Sequence, residues 1–238
     1  MEIFGAYMPN KEELAKLELA GAEYDNLLLQ AGKFDRLDNT YVQANQNRDV
    51  DGLSHRYCCT IYAACGAICD ILGHDSIAYE KLINETIKRA IEKWQLDLDG
   101  GAYTVNSVKT AMEANNALFD KKVKYIQTST DKSLFWTLLN RNYTFVTTYL
   151  SSKDYVTDAK DGTLDGTDFS GMTGGHCIRW SNKEILKSKQ DKPTQITVLD
   201  NYLQWTGYKT YKIPRTNISH LVQPHWPYYP TIYTYLQA

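Results

Sequence analysis

The stretch Arg56–Gly73, RYCCTIYAACGAICDILG, decides how the rest of the chain is read. From Thr60 to Leu72 its only charged residue is Asp70. A helical segment without a polar face is a buried one. Two adjacent cysteines, Cys58 and Cys59, open it. A thiol at a helix N-terminus sits where backbone N–H groups and the helix dipole favour the thiolate. The thiolate is the nucleophilic form, so the placement suits covalent catalysis if a general base arrives from elsewhere.

Working outward, the residues after Gly73 predict a second helix over Ser76–Trp94. Tyr79, Leu82, Ile83, Ile87, Ala90, Ile91 and Trp94 keep three-and-four spacing, and Glu80, Lys81, Lys88 and Glu92 lie mostly off that stripe. LDLDGGAY reads as a turn, and Asn106 as the cap of a third helix through Phe119. Before the central stretch, Lys33–Tyr57 is polar and aperiodic and reads as a long loop. Asn10 caps an earlier helix that stops at Gly32. In the second half the strand candidates are Val123–Gln127, Tyr143–Leu150, His176–Trp180, Gln195–Leu199 and Tyr208–Ile213, with a short helix over Asp131–Asn140. A polar loop spans Ser151–Thr173, and the tail PHWPYYPTIYTYLQA reads as a Pro- and Tyr-rich surface segment. Helices first and strands second predict an α+β fold, with the buried helix in a helical layer against an antiparallel sheet. No boundary divides residues 1–238. The expectation is one domain, with a helical half over about 1–120 and a sheet half over about 121–238.

The general base is expected at His176. It follows Gly174–Gly175 and opens a strand on which Ile178 and Trp180 share its face, while Cys177 and Arg179 point the other way. Asp200 and Asn201 close the next strand, TQITVLDNY, and either could orient the imidazole. Cys59 is the favoured nucleophile and Cys58 the alternative, while Cys65 and Cys69 on the helix body read as core packing.

These residues carry a resemblance to the papain-like cysteine peptidase superfamily. Cys59-Thr-Ile-Tyr-Ala-Ala is similar to the Cys-Trp-Ala-Phe-Ser-Ala opening of the papain catalytic helix, matching at the cysteine, at the aromatic Tyr62 and at Ala64. Gly175-His176-Cys177 resembles Gly-His-Ala, and Asp200-Asn201-Tyr202 with Trp205, Gly207 and Tyr208 resembles a shortened Asn-Ser-Trp-Gly…Gly-Tyr segment. Gln46-Asn47-Arg48-Asp49 is similar to the Gln-Arg-Asp-Asn stretch of phage and bacterial bacteriocin-processing-like peptidases. Cys59-Thr60-Ile61-Tyr62 resembles the Cys-Thr-x-Tyr opening of the Cys/His-dependent amidase-peptidases of phage lysins. The glutamine that completes the family's oxyanion hole has no counterpart in register: Leu53 stands six residues before Cys59 and Gly52 six before Cys58. Gln46, or Gln43, is the weak substitute. Thr60 replaces the family's tryptophan.

The resemblance implies a thiol hydrolase of amide bonds acting on peptide or peptidoglycan, a phage or bacterial lysin being the foremost case. It also admits a processing protease of one partner protein, and a degraded fold kept as a virion structural or binding component with virion partners. Net charge of −2 without a basic block speaks against nucleic-acid binding. No apolar run reaches the length of a membrane span, and MEIFGAYMPNKEELAK lacks a signal-peptide pattern. The expectation is synthesis in the cytoplasm, with release from the cell or carriage in a virion. Five cysteines, four of them crowded between Cys58 and Cys69, do not form a secreted disulfide framework. No phosphate loop, dinucleotide fingerprint or zinc-protease motif occurs, so no cofactor is expected. His55, Cys58, Cys59, Cys65, Cys69 and His74 cluster in sequence, but without the paired spacing of a zinc site. Eighteen tyrosines against six phenylalanines suit wet, groove-lining surfaces as well as strands.

Overall fold

A computed structural model describes residues 42–98, 104–128, 145–150, 162–166, 175–181, 195–201, 210–214 and 232–237. The expected helices at 10–32 and 131–140, and most of the 151–173 loop, lie outside the described residues. The fold is α+β. Among the described residues three helices, α1 (Cys59–Leu72), α2 (Ser76–Trp94) and α3 (Thr104–Leu118), accompany eight strands. These are β1 (Asp49–Val50), β2 (Leu53–Ser54), β3 (Val123–Thr128), β4 (Phe145–Leu150), β5 (Gly175–Ser181), β6 (Gln195–Leu199), β7 (Thr210–Pro214) and β8 (Ile232–Gln237).

Helix α1 touches α2 and α3 on one side and strands β4, β5 and β8 on the other. That enclosure explains why its sequence is apolar all round: Ile61, Tyr62, Ala63, Ala64, Cys65, Ala67 and Ile68 are fully buried. Burying a side chain the size of Ile61 or Ile68 contributes about 1.5–3 kcal/mol. Gly73, at φ 66°, ends the helix in the left-handed conformation, and its N–H donates to the Cys69 carbonyl. Asp75 then caps α2 by accepting from the Ala78 N–H at 2.8 Å. Tyr79, Leu82, Ile83, Ile87 and Ala90 of α2 are buried, as the spacing predicts.

Six strands form one antiparallel sheet in the order β3-β8-β4-β5-β6-β7. Three expectations need correction. The described part of the tail, 232–237, is not a surface segment: β8 lies inside the sheet between β3 and β4, and the Tyr235 hydroxyl donates to the Val108 carbonyl at 2.8 Å. Its prolines precede the strand, leaving Ile232–Gln237 free to pair on both edges. Asn106 is not a cap, because α3 starts at Thr104 and places Asn106 within the helix. The stretch ahead of the central helix is not all loop. Asp51 and Gly52, at φ 51° and 79°, make the two-residue turn of a small hairpin joining β1 to β2.

Candidate active site

Helix α1 begins at Cys59, with Cys58 in the capping position. The first N–H groups of a helix have no partner within it, so Cys59 stands at the positive end of the dipole. Cys58 is fully buried, and burial pushes its thiol up to about 12. Cys59 is only partly buried. The structure therefore gives the two neighbours different surroundings, Cys59, the favoured nucleophile of the sequence reading, being the more accessible.

Strand β5 carries His176 to the start of α1, close enough to Cys59 for that side chain to help raise the imidazole's proton affinity. The other contact is to β6: His176 Nε2 lies 2.7 Å from Asp200 Oδ1. With Nε2 held by the carboxylate, Nδ1 is the nitrogen left for the sulfur. The register pairs Arg179 with Leu199 and Trp180 with Val198, which puts Asp200 diagonal to His176 on the alternating face. Burial disfavours the charged imidazolium, but the Asp200 charge and hydrogen bond, together with Cys59, outweigh it. His176 is held well above its ordinary range. The imidazole side chain keeps 15% exposure, while the Asp200 side chain has none. A second segment secures Asp200: Gln43 Nε2 donates to its carbonyl at 3.0 Å.

Asn201, the alternative orienting residue, turns elsewhere. Its Oδ1 lies 3.2 Å from the Tyr79 hydroxyl of α2, which also lies 3.0 Å from the Tyr62 carbonyl. Gln46 is also committed elsewhere. Its amide donates to the Arg56 carbonyl at 2.8 Å, and its backbone N–H donates to the Asn201 carbonyl at 2.9 Å. That amide is tied into the loop preceding Cys59, so the structure brings Cys59, His176 and Asp200 together and leaves Asn201 and Gln46 as supports.

Two features escaped the sequence reading. Asp70, the lone charge on α1, lies 2.7 Å from Arg179 Nε of β5. Arg179 is fully buried, and its Nη2 donates to the Val42 carbonyl at 2.8 Å. Gly66 makes the room, since a Cβ there would fall 1.6 Å from Arg179 Nη1. Desolvation raises the Asp70 carboxyl to about 6 despite the guanidinium. The signals were an unexplained charge and a mid-helix glycine in an apolar run. The second feature is a network around the hairpin. Arg48 forks onto Glu80 of α2 and donates from Nε to the Tyr62 hydroxyl at 2.9 Å, and His55 Nδ1 meets the same hydroxyl at 2.8 Å. It anchors the residues entering α1 to both helices.

The cysteine–histidine cluster does not converge. His55 is engaged by Tyr62, and His74 stacks on Phe119 beside Asn115. Among the described residues no three His, Cys, Asp or Glu side chains gather as a metal ion requires. An open groove of about 410 Å³ lies between the hairpin and α2, lined by Val50, Leu53, His55, Ile87 and Leu118. Cys59, His176 and Asp200 are not in its wall, so it does not stand for the chemistry. Among the described residues no helix is long and apolar enough to cross a membrane. No family model and no curated protein matches the sequence.

Proposed function

We propose that the chain is a papain-like thiol hydrolase that cleaves amide bonds with Cys59 as nucleophile, His176 as base and acid, and Asp200 as the orienting carboxylate. One observation carries the reading: the His176 ring is held between the Cys59 sulfur and the Asp200 carboxylate. The place of Cys59 at the α1 N-terminus supports it.

The chemistry follows from the positions. The Cys59 thiolate, paired with protonated His176, attacks the carbonyl carbon. The oxyanion forms beside the backbone N–H groups at the start of α1, which strengthen their hydrogen bonds as charge develops. His176 then gives its proton to the departing amine, the C–N bond breaks, and a thioester remains on Cys59. Water, deprotonated by His176, attacks the thioester. The C–S bond breaks, the carboxylic acid leaves, and the thiolate–imidazolium pair is restored. Asp200 fixes the ring so that Nδ1 faces the sulfur throughout.

The phage and bacterial resemblances make peptide or peptidoglycan the substrate class, and a lysin is the reading they favour. A second reading, a fold retained as a binding or virion component, draws on one observation: the Gln46 amide gives one of its donors to the Arg56 carbonyl, in the loop ahead of Cys59. Hydrolysis of cross-linked cell-wall peptide and of casein by the purified protein, against Cys59→Ala, separates the two. Turnover of either substrate that is lost in the variant supports the hydrolase. Equal release from both proteins contradicts it.

A further inference from the structure

Arg179 and Asp70 lie on the same strand and the same helix as the two halves of the proposed dyad. β5 bears His176 and, further along, Arg179; α1 bears Cys59 and, further along, Asp70. One guanidinium therefore contacts three segments. Its Nε reaches Asp70 of α1, its backbone is β5, and its Nη2 reaches the Val42 carbonyl. The residue after Val42 is Gln43, which holds the Asp200 carbonyl.

We propose that Arg179 is a positioning residue for this site: a single buried guanidinium sets the register between the helix that carries Cys59, the strand that carries His176 and the segment that holds Asp200. The inference rests on the hydrolase reading above.

Three observations favour register over stability as the role. Arg179 is sealed, and among the described residues its Nε and Nη1 are both buried without a hydrogen-bond partner, the Nε meeting Asp70 as an ion pair only. A buried pair in that condition is a poor stabiliser, and packed apolar side chains of similar volume commonly do as well or better. The guanidinium is planar and its donors point in fixed directions, so it enforces relative orientation where an aliphatic side chain would only fill space. The slot is shaped for it, because α1 presents only the Gly66 backbone where Nη1 lies. A thiol and an imidazole on separate elements need such a constraint, since a displacement of about 1 Å in a reacting pair can cost about a hundredfold.

The test replaces the pair by packing. Asp70→Leu combined with Arg179→Met removes both charges and keeps the volume. Iodoacetamide labelling of Cys59, located by mass spectrometry, is followed at pH 6 and pH 9, with cooperative thermal unfolding as the check on the fold. The expected result is a folded protein whose Cys59 labels about ten- to a hundredfold more slowly than wild type at pH 6. At pH 9, where any thiol ionises appreciably, the two rates converge. A folded variant with the wild-type rate at both pH values overturns the proposal. If the double variant does not unfold cooperatively, Arg179→Lys takes its place; it keeps the charge without the fork, and the same two outcomes decide. Slow labelling of Cys59 in the wild type at pH 6 is a different result: it removes the hydrolase reading itself, and the positioning role with it.

Discussion

The two ends of α1 each meet the sheet through a side-chain partnership, and the two partnerships differ. At the N-terminus, Cys59 is partly open and faces His176, whose side chain keeps 15% exposure. Toward the C-terminus, Asp70 faces Arg179, which is sealed completely. The first pair keeps partial exposure at both members, as the proposed chemistry requires. In the other pair the guanidinium is sealed while the Asp70 side chain keeps 12% exposure, and desolvation raises its carboxyl to about 6; the role proposed for it is geometric. On the proposed reading one helix separates reactivity from alignment, with the reactive residue at its N-terminus.

The largest expected effect breaks the open end. Cys59→Ala should lower amide hydrolysis by about a thousandfold or more, roughly 4 kcal/mol of barrier. Cys58→Ala, at a thiol that burial holds near 12, should leave turnover within about tenfold, a core change without a lost nucleophile. Initial rates on one peptide substrate check both.

The sealed end should break next. Gly66→Ala puts a methyl 1.6 Å from Arg179 Nη1, so the guanidinium must leave its slot. Breaking a buried pair costs about 3–5 kcal/mol. Alanine's better helix propensity returns about 1 kcal/mol. A net loss of about 2–4 kcal/mol by denaturant unfolding is the prediction, and a gain in stability would contradict the packing described here.

A pH series sharpens the contrast. His176 is held above its ordinary range, so the folded protein binds that proton more tightly than the unfolded chain. The stabilisation is therefore full below the ordinary histidine pKa of about 6.5 and is lost as pH rises through the raised value. Asp200→Asn removes the charge that raises it. The stability advantage of wild type over this variant should be greatest at mildly acidic pH and shrink as pH rises, as read from denaturation midpoints. An advantage that grows with pH has the wrong sign. The smallest effect is at the support: Tyr79→Phe, which leaves Asn201 Oδ1 and the Tyr62 carbonyl without this donor, should cost about 1 kcal/mol and leave labelling of Cys59 unchanged.

The sequence made the local parts of this arrangement legible. The span of α2 followed from its apolar stripe, the burial of α1 from its lack of a polar face, and the strands bearing His176 and Asp200 from β-rich runs. Even the choice between Asp200 and Asn201 was half visible, since strand alternation separates adjacent residues. What stayed hidden depends on contacts between distant segments. Nothing local says that Arg179 will answer Asp70, or that β8 will enter between β3 and β4 rather than pack outside. The hairpin was readable from Asp51–Gly52, a pair suited to the positive φ values of a tight turn, but the polar residues around it looked like loop.

The most direct test of the account is the rate at which iodoacetamide labels each cysteine of the wild type at pH 6, with His176→Ala alongside. The account predicts that Cys59 reacts fastest, well ahead of Cys58, and that His176→Ala slows it to the rate of an ordinary thiol. Cys59 and Cys58 reacting at one slow rate, unchanged by His176→Ala, would contradict a thiolate–imidazolium pair at the head of α1.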